Sequence, residues 1–402
     1  MFSLRGPTSK MRSSTTSREA YVNVSGPLYE EAVGLLRALS GPHGIRASLS
    51  SSANYSAVFA RDAVMAGVAG LLIEERAVTD GLIRSLEHLR DLQGAQGQIA
   101  SNYLVSGAES PRTSFGSLVP RLDAPLWYMI GVALGARASV LDAEDFRESV
   151  GFVVRLLDTL EYNGRHLVYV PVGGDWADEY IYQGYVLHDQ VLRAWALRLA
   201  GSVYGERAWV AKAADIERTI GASYWTREAA QRGYPLSAFT PARVYDMFDL
   251  ATCSLLAVSG ASPDIGASAL DWIGERFLAR AELPPAFDPV IDEGHRDWPE
   301  LSRYHLHGFR NRPHEYHNGG VWMIWLGWLA LALARAHRER DLGHLRDAIS
   351  ARLASVGTYG FEEYFHGRTG QPAGTPQMAY SATGVVFLEV ASTPARLRLL
   401  EP

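Results

Sequence analysis

Little in this chain could cross-link it, anchor it or draw it to a polyanion. Only one of its 402 residues is cysteine. No disulfide framework can form, and a reducing, cytoplasmic setting is the expectation. Cys253 lies in the apolar run DLATCSLLAV, where a small buried hydrophobe belongs. Acidic side chains outnumber basic ones by 44 to 38, a formal net charge of -6. No basic field exists to steer a nucleic acid or an anionic membrane toward it. Residues 1–22 are rich in Ser, Thr and basic residues and lack the apolar stretch of a signal peptide. They read as a disordered tail ahead of one domain over residues 23–402. The most hydrophobic run, residues 319–336, carries several Trp and reads as a buried core helix, not a membrane span. Also missing are GxSxG, a P-loop, paired CxxC and a dinucleotide fingerprint, and strand-like alternation is scarce.

What remains is helical. Periodic apolar spacing predicts helices over residues 27–39, 62–75, 78–92, 124–141, 143–160, 185–200, 207–224, 248–259, 266–280, 320–337, 341–354 and 378–389. They arrive largely as pairs. Short connections alternate with long ones rich in Gly, Pro and aromatics, at residues 94–120, 161–184, 225–247, 281–318 and 357–377. Long loops inside a compact domain usually carry function. An open helical solenoid would repeat in sequence, and these segments do not. The expected fold is all-α: an (α/α)6 toroid of six helical hairpins, with the long loops forming a pocket at one end.

The loops hold carboxylates set among rings. In GGDWADEYIYQGYVLHDQVL, residues 173–192, Asp175, Asp178 and Glu179 surround Trp176, with Gln183, Tyr185 and His188 following. Acids at the head of a helix can serve as caps. Acids beside flat rings also suit sugar cleavage, because one carboxylic acid can protonate a leaving oxygen while a ring carries the sugar's CH face. A second such set is FEEYF, where Glu362 and Glu363 sit between Phe361, Tyr364 and Phe365. Desolvation there would raise a carboxyl pKa and suit it to proton transfer.

Other loops add Tyr55, Arg61 and Asp62 in NYSAVFARD, with Asn102, Arg121 and Asp123 before the fourth expected helix and Trp127 in its first turn. Asp123 precedes Ala-Pro, and a helix N-cap is its expected role. Asp249 also stands at a helix start. The stretch HLHGFRNRPHEYHNGGVW gathers His305, His307, His314 and His317 with Glu315. Its spacing is not that of a zinc hydrolase, and Pro313 bars a helix through it, so no metal and no cofactor are expected. The two glycines after Asn318 would let backbone approach a ligand closely.

Taken together and in order, these loops resemble the clan of (α/α)6 glycoside hydrolases that includes the alkaline/neutral invertases of family 100. Family 63 and the amylo-α-1,6-glucosidase type of bacterial enzyme are the next nearest. The resemblance runs from about Asn54 to Gly384 and is carried by EYHNGGVW, by EYFHGRTGQPAG with YSATG, by FARD and by FDLATCSLLA. It implies that Glu363 is the base activating water, that Asp178 is the general acid, with Asp175 its rival, and that Asp62 binds sugar. It places His317, Asn318 and Trp322 on the pocket wall, with Tyr364 and Tyr380 in the matching segments. The invertase acid is followed by Arg-Arg-Met-Gly, whereas Asp178 is followed by Glu-Tyr-Ile-Tyr.

The expected activity is therefore exo-acting, inverting hydrolysis of a small carbohydrate, sucrose or a short α-glucoside. Inversion needs carboxyl groups on the order of 6.5–9.5 Å apart. Homo-oligomerisation stays open. Two alternatives are an inactive carbohydrate-binding or regulatory protein, and a sugar isomerase or epimerase using His188 and His317.

Overall fold

Burial sorts the long helices into two kinds. The computed structural model describes residues 26–52, 54–106, 110–116, 119–161, 164–303 and 308–401; residues 1–22, expected as a tail, lie outside them. Among the described residues twelve long helices run in chain order: α1 Pro27–Leu39, α2 Ala60–Ile73, α3 Arg76–Asp91, α4 Asp123–Arg137, α5 Arg147–Thr159, α6 Leu187–Tyr204, α7 Arg207–Tyr224, α8 Leu250–Ser259, α9 Pro263–Arg276, α10 Met323–Arg335, α11 Glu339–Val356 and α12 Ala379–Val390. In α10 every residue from Met323 to Ala334 is buried. In α7 only Ala213, Ile216, Ile220 and Tyr224 are, a single stripe at helical spacing. A helix that is apolar all round must be enclosed, and one with a stripe lies outside it.

The contacts close into a ring. Helix α2 packs on α4, α4 on α6, α6 on α8, α8 on α10, α10 on α12, and α12 back on α2. Outside them α3 packs on α2, α5 on α4, α7 on α6, α9 on α8 and α11 on α10. The sixth outer helix is α1, which packs on α12. Five hairpins are therefore consecutive in sequence, and the sixth is made from the two ends of the chain. At one crossing the backbones touch: a Cβ on Gly327 of α10 would lie 2.7 Å from Gly384 Cα of α12.

Each outer helix returns the chain, so all six inner helices start at the same end of the ring. Short strands gather there. Val58–Phe59, Asn102–Leu104 and Arg112–Ser114 form one three-stranded sheet, and Tyr185–Val186, Ala238–Thr240 and Arg243–Tyr245 another. Phe248–Asp249 pairs with Phe287–Asp288, and Tyr364–Phe365 with Pro372–Ala373. Two of these strands correct the expected helix starts. Residues 185–186 and 248–249 are strands because partner backbone takes their hydrogen bonds, and α6 and α8 begin just after them. Expected helix 143–160 opens as a 3-10 turn over Ala143–Phe146. Short helices Arg227–Arg232 and Trp298–Leu301 interrupt loops that were expected to be irregular. Cys253 is buried on α8. No described helix is long and apolar enough to cross a membrane.

Candidate active site

The inner helix starts frame a cavity of about 660 Å³. The loop and first turn of α2 bring Tyr55, Phe59, Arg61 and Asp62 to its wall, and Asn102 comes from the strand beside them. Arg121 and Asp123 arrive at the start of α4, and Trp176 and Asp178 in the loop before α6. The loop before α10 supplies Arg310, Tyr316, His317 and Trp322, and the one before α12 supplies Glu363, Thr375 and Tyr380. Helix N-termini carry partial positive charge, so acids collected at this end face a favourable field.

Asp178 is held by three cationic or polar groups. Arg121 Nη2 donates to its Oδ2 at 3.0 Å, His317 Nε2 lies 3.5 Å from Oδ1, and Arg310 Nη2 is 3.9 Å away. Burial alone would raise its pKa; Arg121, His317 and Arg310 outweigh burial and hold it well below the usual carboxylate range. Glu363 is in the opposite state. Burial raises its pKa, and the offsets from the Tyr55 hydroxyl at 2.7 Å, Arg310 and the Thr375 N–H do not cancel that rise. Gly374, at φ 81°, makes room for this acid, since a Cβ there would sit 2.6 Å from Glu363 Cβ. Burial likewise lifts Asp62 to about 6, despite Arg61 beside it. His317 is pushed down to about 4 by burial, so it is a neutral imidazole at pH 7, stacked flat on Trp322 at 5.2 Å.

Asp123 departs from its expected role. The helix N-cap position falls on Leu122, and the Asp123 carboxylate faces the cavity, 2.6 Å from Arg61 Nη1. Trp127, another candidate, is core, packed against Trp195 and Trp328. Twelve of the candidate residues line the cavity: Tyr55, Arg61, Asp62, Asn102, Arg121, Asp123, Trp176, Asp178, His317, Trp322, Glu363 and Tyr380. Besides Trp127, seven lie elsewhere. Asp175 accepts from the Trp176 N–H and the Tyr182 hydroxyl and sits 2.8 Å from His188 Nδ1. Asp175 and His188 thus form a buried layer against Trp176, which itself reaches the cavity. Asp249 caps α8 through Thr252 N–H. Asn318 accepts from Ile291 N–H and donates to the carbonyls of Ile291 and Asn311, tying the loop together. Gln183 lies by Tyr245, Tyr185 packs on Tyr169 and Phe239, and Tyr364 backs Trp322.

The glycines after Asn318 serve the fold. A Cβ on Gly320 would meet the Tyr316 carbonyl at 2.2 Å, so it is protein backbone, not a ligand, that approaches. The histidine-rich loop does not converge: His314 pairs with Arg368, and His317 turns to Asp178; His305 and His307 lie outside the described residues. Among the described residues, only Asp175, His188 and Asp189 bring possible metal-binding atoms within 4.8 Å of one another. There Asp175 already accepts from the Trp176 N–H and the Tyr182 hydroxyl. Reasoning from sequence missed Arg310, Tyr316 and Thr375. Arg310 had a usable signal, a charged residue inside an aromatic loop, the same feature that singled out Arg61.

Comparison with known proteins now bears on this geometry. The family model for alkaline and neutral invertases matches residues 295–393. That span contains Glu363 and Tyr380 but not Asp178. The probable alkaline/neutral invertase D of Arabidopsis thaliana is 30% identical over 161 residues, 40% of this chain and 29% of that protein. The match thus spans under a third of that curated relative. Among solved structures, the GH63 mannosylglycerate hydrolase from Thermus thermophilus in complex with glucose aligns with a TM-score of 0.66 at 16% identity. The alignment covers 90% of this chain and 99% of that one. A bacterial glucoamylase complexed with acarbose gives a TM-score of 0.62 at 15% identity, covering 93% and 56%. The fold is that of the six-hairpin glycosidases. Within this six-hairpin fold the C-terminal quarter is also similar in sequence to the alkaline and neutral invertases, and it carries the Glu363 loop.

Proposed function

We propose that the protein is an exo-acting glycoside hydrolase that cleaves a small sugar with inversion, using Asp178 as acid and Glu363 as base. The observation that carries this reading is that two carboxylates, Glu363 buried and Asp178 partly buried, from loops far apart in sequence, line one sugar-sized cavity together with Trp176, Trp322 and Tyr380. The enclosure favours one or two sugar units over a polymer. Sucrose, a short α-glucoside or a glycosyl-glycerate is the substrate class, in keeping with the invertase similarity and the mannosylglycerate hydrolase fold. The single cysteine, buried, supports a cytoplasmic setting.

In the reaction, Glu363 takes a proton from water as that water attacks the anomeric carbon. The carbon–oxygen bond breaks, and Asp178 gives its proton to the departing oxygen. Asp62, Asp123 and Arg61, which line the cavity, would hold hydroxyl groups, and the rings would shed water from the site. His188 does not reach the cavity, so an isomerase using it with His317 lacks its second base there.

A second reading exchanges the two roles. The free cavity favours it electrostatically, because Asp178 is held ionised while burial raises the pKa of Glu363. Both assignments describe a pair sharing one proton, and the rate's dependence on pH alone does not separate them.

The experiment is a screen of purified protein against sucrose, maltose-type disaccharides and glucosyl-glycerate, with the first-formed sugar followed by NMR. Appearance of the opposite anomer is expected, and silence on every sugar would sink the hydrolase reading. Roles are then read from glycosyl fluorides, whose leaving group needs no proton. Asp178→Asn should keep turning the fluoride over and Glu363→Gln should not; the converse result supports the exchanged roles.

A further inference from the structure

Three guanidinium groups line the cavity, and they are not equivalent. Arg61 is committed to acids of its own, 2.6 Å from Asp123 and 3.8 Å from Asp62. Arg121 and Arg310 both lean on Asp178. Arg121 donates through Nη1 to the Asp175 carbonyl at 2.8 Å and through Nη2 to Asp178 at 3.0 Å. Arg310 is held by Glu179 at 3.2 and 3.3 Å, lies over the Tyr316 ring at 4.2 Å, and reaches to 3.9 Å from Asp178. A carboxylate clamped in this way has no proton to give, yet the acid role asks it for one. Something that enters the cavity has to take the clamp away.

We propose that Arg121 and Arg310 form a receptor for an oxyanion carried on the substrate's leaving group, and that the bound oxyanion releases Asp178 to take up a proton. The inference rests on the reading of Asp178 as the acid. A guanidinium binds a carboxylate or a phosphoryl group through paired N–H donors, and both side chains are positioned before any ligand arrives. Binding removes from Asp178 the hydrogen bond and charge that keep it ionised, and puts a like charge beside it. A solvent proton then adds to Asp178. On cleavage that proton passes to the leaving oxygen, and Asp178 returns to its paired state. A neutral leaving group brings no charge to pair with the two guanidinium groups. The other charged or titratable groups on the cavity wall are Arg61 and Asp62 from α2, Asp123 from α4, Tyr55, Glu363, Tyr316 and His317, with Glu179 behind Arg310; Asp62, raised to about 6, also titrates near the test pH, and the Asp178→Asn comparison separates its protons from those of Asp178. Of these, His317 is neutral and does not substitute for the two arginines.

The test is isothermal titration of the full chain with lactate and, separately, with sulfate as a phosphoryl stand-in. It is run near pH 5.5 in two buffers of different ionisation enthalpy, with glycerol as the neutral control. Expected is uptake of at least about half a proton per anion bound. That uptake should be lost in Asp178→Asn, which still binds the anion. Affinity should fall by about tenfold or more in Arg121→Gln, with Arg121→Lys between. Tighter binding of lactate or of sulfate tells a carboxylate receptor from a phosphoryl one. Failure of both anions to bind, or equal uptake in Asp178→Asn, overturns the proposal. Sugar release from sucrose without any anion effect would leave the hydrolase reading standing while this one falls.

Discussion

The Tyr55 hydroxyl donates to Glu363 Oε1 at 2.7 Å, joining the loop that enters the first inner helix to the loop that enters the last. Hydrogen bonding to the ionised form lowers a carboxyl pKa, so Tyr55 works against the burial that raises it. In Tyr55→Phe the Glu363 pKa should move higher still. Asp178 and Glu363 share one proton, so the higher of the two macroscopic pKa values, the basic limb of kcat/KM, moves up with Glu363, and with Glu363 as base the share of active enzyme below that limb falls. A fall of about tenfold near neutrality is expected, about 1.4 kcal/mol, the size of one hydrogen bond to a charged group. A pH–rate profile on the sugar that the protein cleaves checks it. An unmoved basic limb would show that Tyr55 does not control the Glu363 pKa, and a shifted limb with no fall in rate would count against Glu363 as base.

Asp249 is buried at the head of α8, with its pKa raised by burial to about 6. The folded state holds its proton more tightly than the unfolded chain does. Its contribution to stability is thus full below the unfolded pKa near 4 and is lost as pH rises through about 6. Asn in its place keeps the acceptor for the Thr252 N–H and cannot ionise. Asp249→Asn should therefore be more stable than the parent at pH 8, by up to about 3 kcal/mol, with the gain gone by about pH 4. Urea unfolding at the two pH values measures this, and equal gains at both would show that ionisation is not the cause.

Asn318 spends its amide on three backbone partners inside the loop that carries His317, and it is fully buried. Asn318→Ala leaves those groups unpaired, at a cost of about 3 kcal/mol. Asn318→Asp loses the two donated bonds and buries a charge, so it should cost more. Chemical denaturation ranks the two. If Ala proves the worse, loop volume outweighs hydrogen bonding.

The glycines of the helices separate into two sorts. A Cβ on Gly384 would lie 2.2 Å from the Met323 carbonyl, and backbone there has nowhere to go. Gly221 on α7 has nothing within 4 Å of a Cβ. Gly384→Ala should destabilise by about 3 kcal/mol or more, and Gly221→Ala should stabilise by about 0.5–1 kcal/mol. Thermal unfolding of both variants reads the contrast directly.

The helices were legible because period and burial agree. An enclosed helix such as α10 and a striped one such as α7 announce themselves by which positions are apolar. The helix starts were less so, since Tyr185–Val186 and Phe248–Asp249 become strands only because partners from distant loops meet them. The same holds for the site. Asp178, Trp176 and Glu363 stood out as acids and rings in loops, and the cavity does gather them. Asp175 and His188 share that local signature, yet they turn toward each other beneath Trp176. Nothing local distinguishes an acid facing a cavity from one anchoring a loop. Arg310 was missed for a related reason, because its meaning comes from Asp178, which lies more than a hundred positions away in sequence.

The hairpin made by α1 and α12 has a consequence in time. A chain growing from its N-terminus can lay down five consecutive hairpins as they emerge, but α1 meets its main partner, α12, only after all five have been made. Until then Tyr55 waits without Glu363 and Arg61 without Tyr380. The cavity is complete only once α12 has been made, so a chain interrupted before α12 is an open arc with its apolar inner helices bare, a form that chaperones or proteases would meet first.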